Sequence, residues 1–306
     1  MRIFVDKKPV TGPWGGGNKF VTRLIESLVK EGHEVCHKLV KGIDVIFCFD
    51  PRRNDSGYWY QDYLNYKNQN DCKIIQRVGD IGTHGKPELT ELVKSSTRLS
   101  DFIIFPSAWA RDTINFHGDN HRVLFNAPNE GFYNFRVKKE ISKEDRLKIV
   151  THHWSTNPKK GFDYYSSLDR LVGNTDNVEF TFVGRLPEGF RFANSTYHEA
   201  TGDEELLAKI ISENDIYLTA SREEAGANHV LEAMACGLPI VFHEDGGSIS
   251  EYCADYGLQY NDLPSMIQKI SEIKENYLTF KNSVLNYNDT IDGVIKQYVD
   301  IICNIK

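Results

Sequence analysis

Between Leu218 and Glu251 the chain reads LTASREEAGANHVLEAMACGLPIVFHEDGGSISE, which gathers most of the residues whose types and spacing suit chemistry. An apolar run, Asp215–Ala220, reads as a strand that ends in a polar loop. Small residues Ala225, Gly226 and Ala227 then open a helix, where a ligand can approach the backbone closely. The free N–H groups of such a helix start attract an anion, for example a diphosphate. Glu224 lies in the loop, and Glu232 follows inside the helix after seven intervening residues. A carboxylate that accepts two hydrogen bonds suits the cis-diol of a ribose or adjacent sugar hydroxyls. The spacing alone equally describes two solvated helix glutamates, so the surrounding string has to decide. Gly237, Leu238 and Pro239 turn the chain into the next strand, and Gly246–Gly247 makes a second tight loop after it.

A second patch, Thr151–Tyr165, reads THHWSTNPKKGFDYY. A strand ends in a polar loop, and Lys160-Gly161 opens the next helix, with Lys159 as the adjacent alternative cation. The plain alternative for Lys160 is a solvated lysine, although a helix N-terminus disfavours cations. His152 and His153 are neighbours on a strand and point to opposite faces, which argues against one shared metal ion. One is expected to face a ligand and the other to pack. Near the N-terminus, Gly12-Pro13-Trp14-Gly15-Gly16-Gly17-Asn18 lies between a first strand and a first helix. It is neither a G-x-G-x-x-G turn in the dinucleotide register nor a phosphate loop ending in GK[ST]. The plain alternative there is a flexible turn. Further along, Arg77, Asp80 and His84 sit at or just beyond a strand end, where they are acceptor-side candidates.

The elements that must position these residues alternate. Strand-like runs occur at 2–6, 34–40, 44–49, 73–78, 101–106 and 122–126, with helical patterns at 18–31, 87–98 and 108–116. The charge-dense stretch from Arg136 to Lys148 places a domain boundary near 140. Beyond it strands are expected at 147–153, 178–184, 215–220 and 239–243, and helices at 162–172, 204–212 and 227–236. Ile291, Val294, Ile295, Tyr298, Val299 and Ile302 share one face of a last helix near 290–304. This βαβ alternation implies α/β architecture with two doubly wound, mostly parallel sheets, residues 1–140 and 141–306, the final helix packing back on the first. Ligands of such sheets bind outside the carboxyl ends of the strands, so two facing domains would form an interdomain cleft.

Composition narrows the class. The 306 residues are 40% hydrophobic and 26% charged, with a formal net charge of −7. That balance argues against a general nucleic-acid binder and against electrostatic docking on anionic membranes. The longest apolar runs fall far short of the ~18 residues a membrane span needs. No signal peptide is read at the N-terminus. The six cysteines form no CxxC pair, which suits free thiols in a reducing cytoplasm.

The segment holding Ser221, Glu224, Glu232-Ala233-Met234-Ala235-Cys236-Gly237-Leu238-Pro239, Gly246-Gly247 and Glu251 closely resembles the donor-binding signature of the family-4 retaining glycosyltransferases (glycosyl transferases group 1), which have the GT-B fold of two facing Rossmann-like domains. The resemblance covers 147–252 and is weak over the N-terminal half. It implies that Glu224 bonds hydroxyls of the transferred sugar and that Glu232 holds the ribose of the nucleotide. It implies too that the backbone of Ala227, Asn228, His229 and Val230 lies along the sugar and diphosphate. Lys160 would carry its ammonium to the donor diphosphate, which makes Glu224 and Lys160 the catalytic pair. Gly16 and Gly17 match a glycine loop that approaches the donor diphosphate or the acceptor. The family often has an arginine where this chain has Ser155; Arg185 is the candidate to supply that charge. Asn126-Ala127-Pro128-Asn129 with Phe132 resembles the family's segment near the interdomain crossover, and the His-His-Trp-Ser string is similar to that of a subset of the family.

What the resemblance implies is transfer of a sugar from a nucleotide diphosphate sugar to an acceptor hydroxyl, with retention of anomeric configuration. The acceptor would be a glycan, a lipid-linked molecule or a small molecule. No Asp-X-Asp triplet occurs in the chain, so no metal and no cofactor are expected; helix dipole and cations would neutralise the leaving group. Two rivals stand beside it: a nucleotide-sugar 2-epimerase of the same fold, and a catalytically idle sugar-nucleotide or glycan-binding module. A nicotinamide-dependent oxidoreductase is disfavoured by the glycine register and by Leu39 and Val40 where an acidic residue would end strand two.

Overall fold

The structure is a computed structural model that describes residues 1–10, 16–136, 140–142 and 144–305. Gly12, Pro13, Trp14 and Gly15 of the glycine loop lie outside the described residues, as do Lys138, Lys139 and Lys143 of the charge-dense stretch. The chain divides into two units, residues 1–126 with 291–306, and residues 127–290. The division falls before the charge-dense stretch rather than at 140. The reason is local: Arg136 donates to the carbonyls of Ala235 and Leu285 at 3.0 Å and of Tyr287 at 2.5 Å, all in the second unit. Its guanidinium also lies 4.5 Å from the Tyr133 ring.

The first unit holds β1 (Arg2–Val5), α1 (Gly16–Lys30), β2 (Glu34–Cys36), β3 (Val45–Cys48), α2 (Tyr60–Lys67), β4 (Lys73–Arg77), α3 (Pro87–Leu99), β5 (Phe102–Phe105), α4 (Ala108–Thr113) and β6 (His121–Val123). Its six strands are all parallel, in the order β2-β1-β3-β4-β5-β6. The central strand β3, VIFC, is buried throughout, as a strand covered on both faces must be. Two strands are shorter than their apolar runs suggest, because only residues 34–36 and 121–123 find partners on the sheet edges.

The second unit holds β7 (Leu147–His153), α5 (Phe162–Val172), β8 (Val178–Gly184), β9 (Thr196–His198), α6 (Glu204–Ser212), β10 (Ile216–Thr219), α7 (Asn228–Ala235), β11 (Ile240–His243), α8 (Ser248–Cys253), β12 (Gly257–Tyr260), α9 (Leu263–Glu275) and α10 (Tyr277–Val284). Short 3-10 turns occupy Glu130–Phe135 and Pro158–Lys160. The parallel sheet runs β12-β11-β10-β7-β8-β9. Counted within the unit this is the order 3-2-1-4-5-6, whose switch point lies between the first and fourth strands, β7 and β10. Apolar clusters cover both faces, one around Val230, Leu231 and Met234 of α7, the other around Tyr165 and Leu168 of α5.

The last helix, α11 (Ile291–Asn304), belongs to the first unit. Tyr298 sets its ring 4.8 Å from Phe20 of α1 and 6.1 Å from Phe47 of β3.

Candidate functional site

The carboxyl ends of β7 and β10 frame the switch point of the second unit, and Lys160, Glu224 and the start of α7 follow those strand ends. After β7 the chain makes the Pro158–Lys160 turn and reverses at Gly161, whose φ is +77°. A Cβ at that position would fall 2.4 Å from both the Cβ and the carbonyl oxygen of Ala220. Only glycine lets the turn sit against the end of β10. This contact brings Lys160 to Glu224, and the two form an ion pair. The side chains are 11% and 13% exposed, so this pair is largely withdrawn from water. Beside it Lys159 pairs with Glu223, but at 37% and 39% exposure. The backbone fixes the same loop: Arg222 N–H donates to the Lys159 carbonyl at 2.8 Å.

The Gly246–Gly247 loop completes the frame. Glu224 pairs with Gly247 in a single parallel bridge. Its N–H donates to the Gly246 carbonyl at 3.2 Å, and its carbonyl accepts from Ser248 N–H at 2.8 Å. Glu223 takes the left-handed backbone conformation, φ 55°, that lets the strand end bend into this loop. Two glutamates next to each other thus point to two different lysines.

Helix α7 begins at Asn228, one residue later than the small-residue pattern suggests, with Ala227 as a cap that offers no side-chain oxygen. The N–H of Ala227 is held by the Ser248 hydroxyl at 3.1 Å. The main-chain N–H groups of the first turn, Asn228 to Val230, carry the positive end of the helix dipole. His229 is buried and bonds Thr219 through Nε2 at 3.1 Å. Burial, with the charges of Lys160 and His152, holds its pKa well below the ordinary imidazole value.

Glu232 lies one turn into α7. Its Oε2 meets Nε2 of His152 at 2.8 Å. His152 and His153 are both buried and both bonded, so neither stands free toward a ligand. His153 turns to the opposite face and meets the Tyr165 hydroxyl through Nε2 at 2.5 Å. Burial, then His229, Lys160 and His152, holds the His153 pKa well below its usual range. Among the described residues no group of three or more His, Cys, Asp or Glu could hold a metal ion.

Arg185 follows β8 and is exposed. Its N–H donates to the His153 carbonyl at 3.2 Å, and its guanidinium forms no ion pair among the described residues. Ser155, in the arginine position of the resembling family, accepts from Asn157 N–H at 3.2 Å.

The first-unit candidates are distributed differently. Gly16 and Gly17 form the first turn of α1, where a Cβ on Gly17 would lie 3.3 Å from the Phe49 ring. Arg77 ends β4 and is buried. Its guanidinium lies 4.7 Å from each of the Phe20 and Phe49 rings, which are themselves 6.0 Å apart and flank it on one side, and the residue is 8% exposed. Aromatic partners distant in sequence capture it, so its charge is part of the packing. Asp80 binds Lys86 at 2.7 Å and accepts Gly82 N–H at 2.9 Å. Burial raises its pKa, but these partners outweigh that and hold it below the usual carboxylate value. His84 is half-buried in the following loop. The sequence reading missed the His152–Glu232 and Lys159–Glu223 pairs. The His-His doublet and the adjacent glutamates were the available signals.

Residues 148–276 match the family model described as Glycosyl transferases group 1. No curated protein matches the chain. Among solved structures, WaaG, a glycosyltransferase involved in lipopolysaccharide biosynthesis, aligns with TM-score 0.65 at 14% identity over 99% of this chain and 100% of its own. A glycosyltransferase from Rickettsia africae aligns with TM-score 0.66 at 12% identity over 99% and 98%. Anabaena Alr3699/HepE, solved in complex with UDP and glucose, aligns with TM-score 0.63 at 13% identity over 99% of both chains. At such identities the likeness shows the fold, which is GT-B.

Proposed function

We propose that the chain, whose residues 148–276 match the glycosyl transferases group 1 model and whose fold is GT-B, transfers a sugar from a nucleotide diphosphate sugar to an acceptor hydroxyl, retaining the anomeric configuration and using no metal. The observation that carries this reading is the convergence of Lys160, Glu224 and Glu232 around the start of α7 at the switch point of one sheet.

In this reading the donor diphosphate lies at the first turn of α7, and Lys160 exchanges part of its bond with Glu224 for the phosphate. Glu224 then accepts hydroxyls of the transferred sugar, and Glu232 accepts from the ribose. As the bond from the anomeric carbon to the phosphate oxygen breaks, negative charge grows on the diphosphate, where a lysine and fixed N–H dipoles stabilise it most. The acceptor oxygen bonds the anomeric carbon on the same face, and its proton passes to the departing phosphate. No side chain acts as a nucleophile. Rate comes from positioning and electrostatics. HepE, solved with UDP and glucose, supports a nucleotide and a sugar as the ligand classes.

The test is a panel of sugar nucleotides and acceptors assayed with and without EDTA. Release of the nucleoside diphosphate that depends on an acceptor, survives EDTA and leaves the anomeric configuration unchanged by NMR is expected. Epimerised donor without any acceptor would make the chain an epimerase. Donor binding without turnover across the panel would make it a binding module.

A further inference from the structure

We propose that His152, backed by Tyr217, is a positioning residue that fixes Glu232 for recognition of the donor ribose. The inference rests on the ribose role given to Glu232 above. His152 is 2% exposed, and its Nε2 faces Oε2 of Glu232 at 2.8 Å. On the other side of the ring, Nδ1 meets the Tyr217 hydroxyl at 3.1 Å. That hydroxyl also accepts the main-chain N–H of His152 at 3.1 Å.

These contacts assign the hydrogens. Tyr217 is fully buried, and burial drives its pKa well above the ordinary phenol value, so it keeps its proton. Its oxygen already accepts the main-chain N–H, which leaves its own hydrogen to donate. Nδ1 of His152 at 3.1 Å is nearer than the His152 carbonyl at 3.3 Å, and the Thr151 hydroxyl, which can itself donate, also lies beside it. With Nδ1 accepting, Nε2 carries the imidazole hydrogen and donates it to Glu232. The chain of donors runs from Tyr217 through His152 to one oxygen of the carboxylate. Oε1 of Glu232 has no partner among the described residues, and the side chain stays 21% exposed. Glu232 is thus held by one oxygen and offers the other.

A glutamate loses rotamer freedom when it binds, and ordering it beforehand removes that loss from the binding step. His152 would do this for Glu232 without touching the nucleotide. Its effect should therefore appear only with ligands that carry the hydroxyl Glu232 receives.

The experiment is calorimetric titration of the full chain with UDP, GDP and ADP, followed by the 2′-deoxy and 3′-deoxy forms of whichever binds. The parent protein is expected to prefer the ribonucleotide over one deoxy form. H152F should weaken the ribonucleotide about tenfold, the order of one hydrogen bond to a charged group, and bind that deoxy form as before. H152Q places an amide N–H where Nε2 stood and should restore most of the preference. Y217F should lose a smaller part of it. In turnover, H152F should raise donor KM and leave kcat within about twofold. A folded H152F that keeps the full ribose preference overturns the proposal. If H152F does not fold, H152Q and Y217F decide: a Y217F protein indistinguishable from the parent in ribose preference overturns it. E232A separates the two readings. Unchanged nucleotide affinity in E232A removes Glu232 from the site and this proposal with it. A loss in E232A without one in H152F removes His152 alone.

Discussion

At the carboxyl ends of β7 and β10 the charged side chains stand in pairs that keep one side open; at the ends of β1, β3 and β4 the fold consumes them. In the second unit, Lys160–Glu224 and His152–Glu232 each leave carboxylate or ammonium capacity for a ligand. In the first unit, the Arg77 guanidinium packs against the adjacent rings of Phe20 and Phe49. Asp6 accepts the N–H groups of Phe49 and Asp50 at 2.8 and 3.1 Å. Both sheets are doubly wound and parallel, and both have a switch point. The topology supplies a place for a ligand; the residues arriving at that place determine whether charge is spent on binding or on packing.

The largest expected effect is at Gly161, on which the paired arrangement depends. Gly161→Val puts a branched side chain at φ +77° and 2.4 Å from Ala220. Strain and overpacking together should cost about 3 kcal/mol or more. Thermal unfolding should shift down by many degrees and nucleotide binding should vanish. A stable Gly161→Val protein that still binds nucleotide would show that the Lys160 turn need not touch β10.

The next contrast lies inside the site. Lys160→Ala strands a Glu224 that is 13% exposed and removes the ammonium paired with it. Nucleoside diphosphate affinity should drop about 100-fold, the order expected for truncating one member of a buried charge pair. Lys159→Ala breaks an ion pair more than a third exposed, which is worth little. Its effect should stay below about threefold. Equal losses in the two variants would mean that burial does not separate their roles.

The difference between these lysines was only partly legible in the sequence. The family resemblance singled out Glu224, Glu232 and Lys160 as candidates, and the βαβ alternation placed both sheets. Pairing was not legible, because Lys160 meets Glu224 across 64 positions and His152 meets Glu232 across 80. The setting of Arg77 was not legible for the same reason: the rings of Phe20 and Phe49 beside it come from other elements. Strand β9, Thr196–His198, escaped notice because all three residues are exposed and form no apolar run. The small residues before α7 suggested a helix from 227. The Ser248 hydroxyl, from the neighbouring loop, takes the Ala227 N–H, and the helix starts at Asn228. Patterns local in sequence were readable, whereas contacts set by the sheet were not.

A smaller effect sharpens the first-unit side. Burial pushes the Asp6 carboxyl up to about 7, against the Asp50 and Phe49 N–H groups that pull it down. Folded Asp6 therefore holds its proton more tightly than unfolded Asp6. Between about pH 4 and pH 7 the folded state binds more protons, so stability falls as pH rises through that window and levels off above it. The melting temperature of the first unit should fall by something on the order of 5 °C. Asp6→Asn cannot titrate and should flatten the slope. Melting curves from pH 4.5 to 8 that run parallel in the two proteins would mean that Asp6 is ionised throughout and that the first unit tolerates a buried charge held by two N–H groups.

The smallest effect concerns Arg185, the residue with a claim to the charge missing at Ser155. It is exposed, its guanidinium forms no ion pair among the described residues, and its main-chain N–H donates to the His153 carbonyl at 3.2 Å. An exposed guanidinium is screened by salt and gives up side-chain freedom when it binds, so it adds little at a distance. Arg185→Ala should weaken nucleoside diphosphate binding by no more than about threefold at 0.15 M salt, with a larger loss at low ionic strength. Ser155→Arg, which returns a cation to the turn itself, should strengthen binding more than Arg185→Ala weakens it. A tenfold loss in Arg185→Ala at physiological salt would reverse that order. It would mean that the second unit recruits an unpaired surface cation as a phosphate clamp, and that the paired residues at the switch point position the donor without carrying most of its charge.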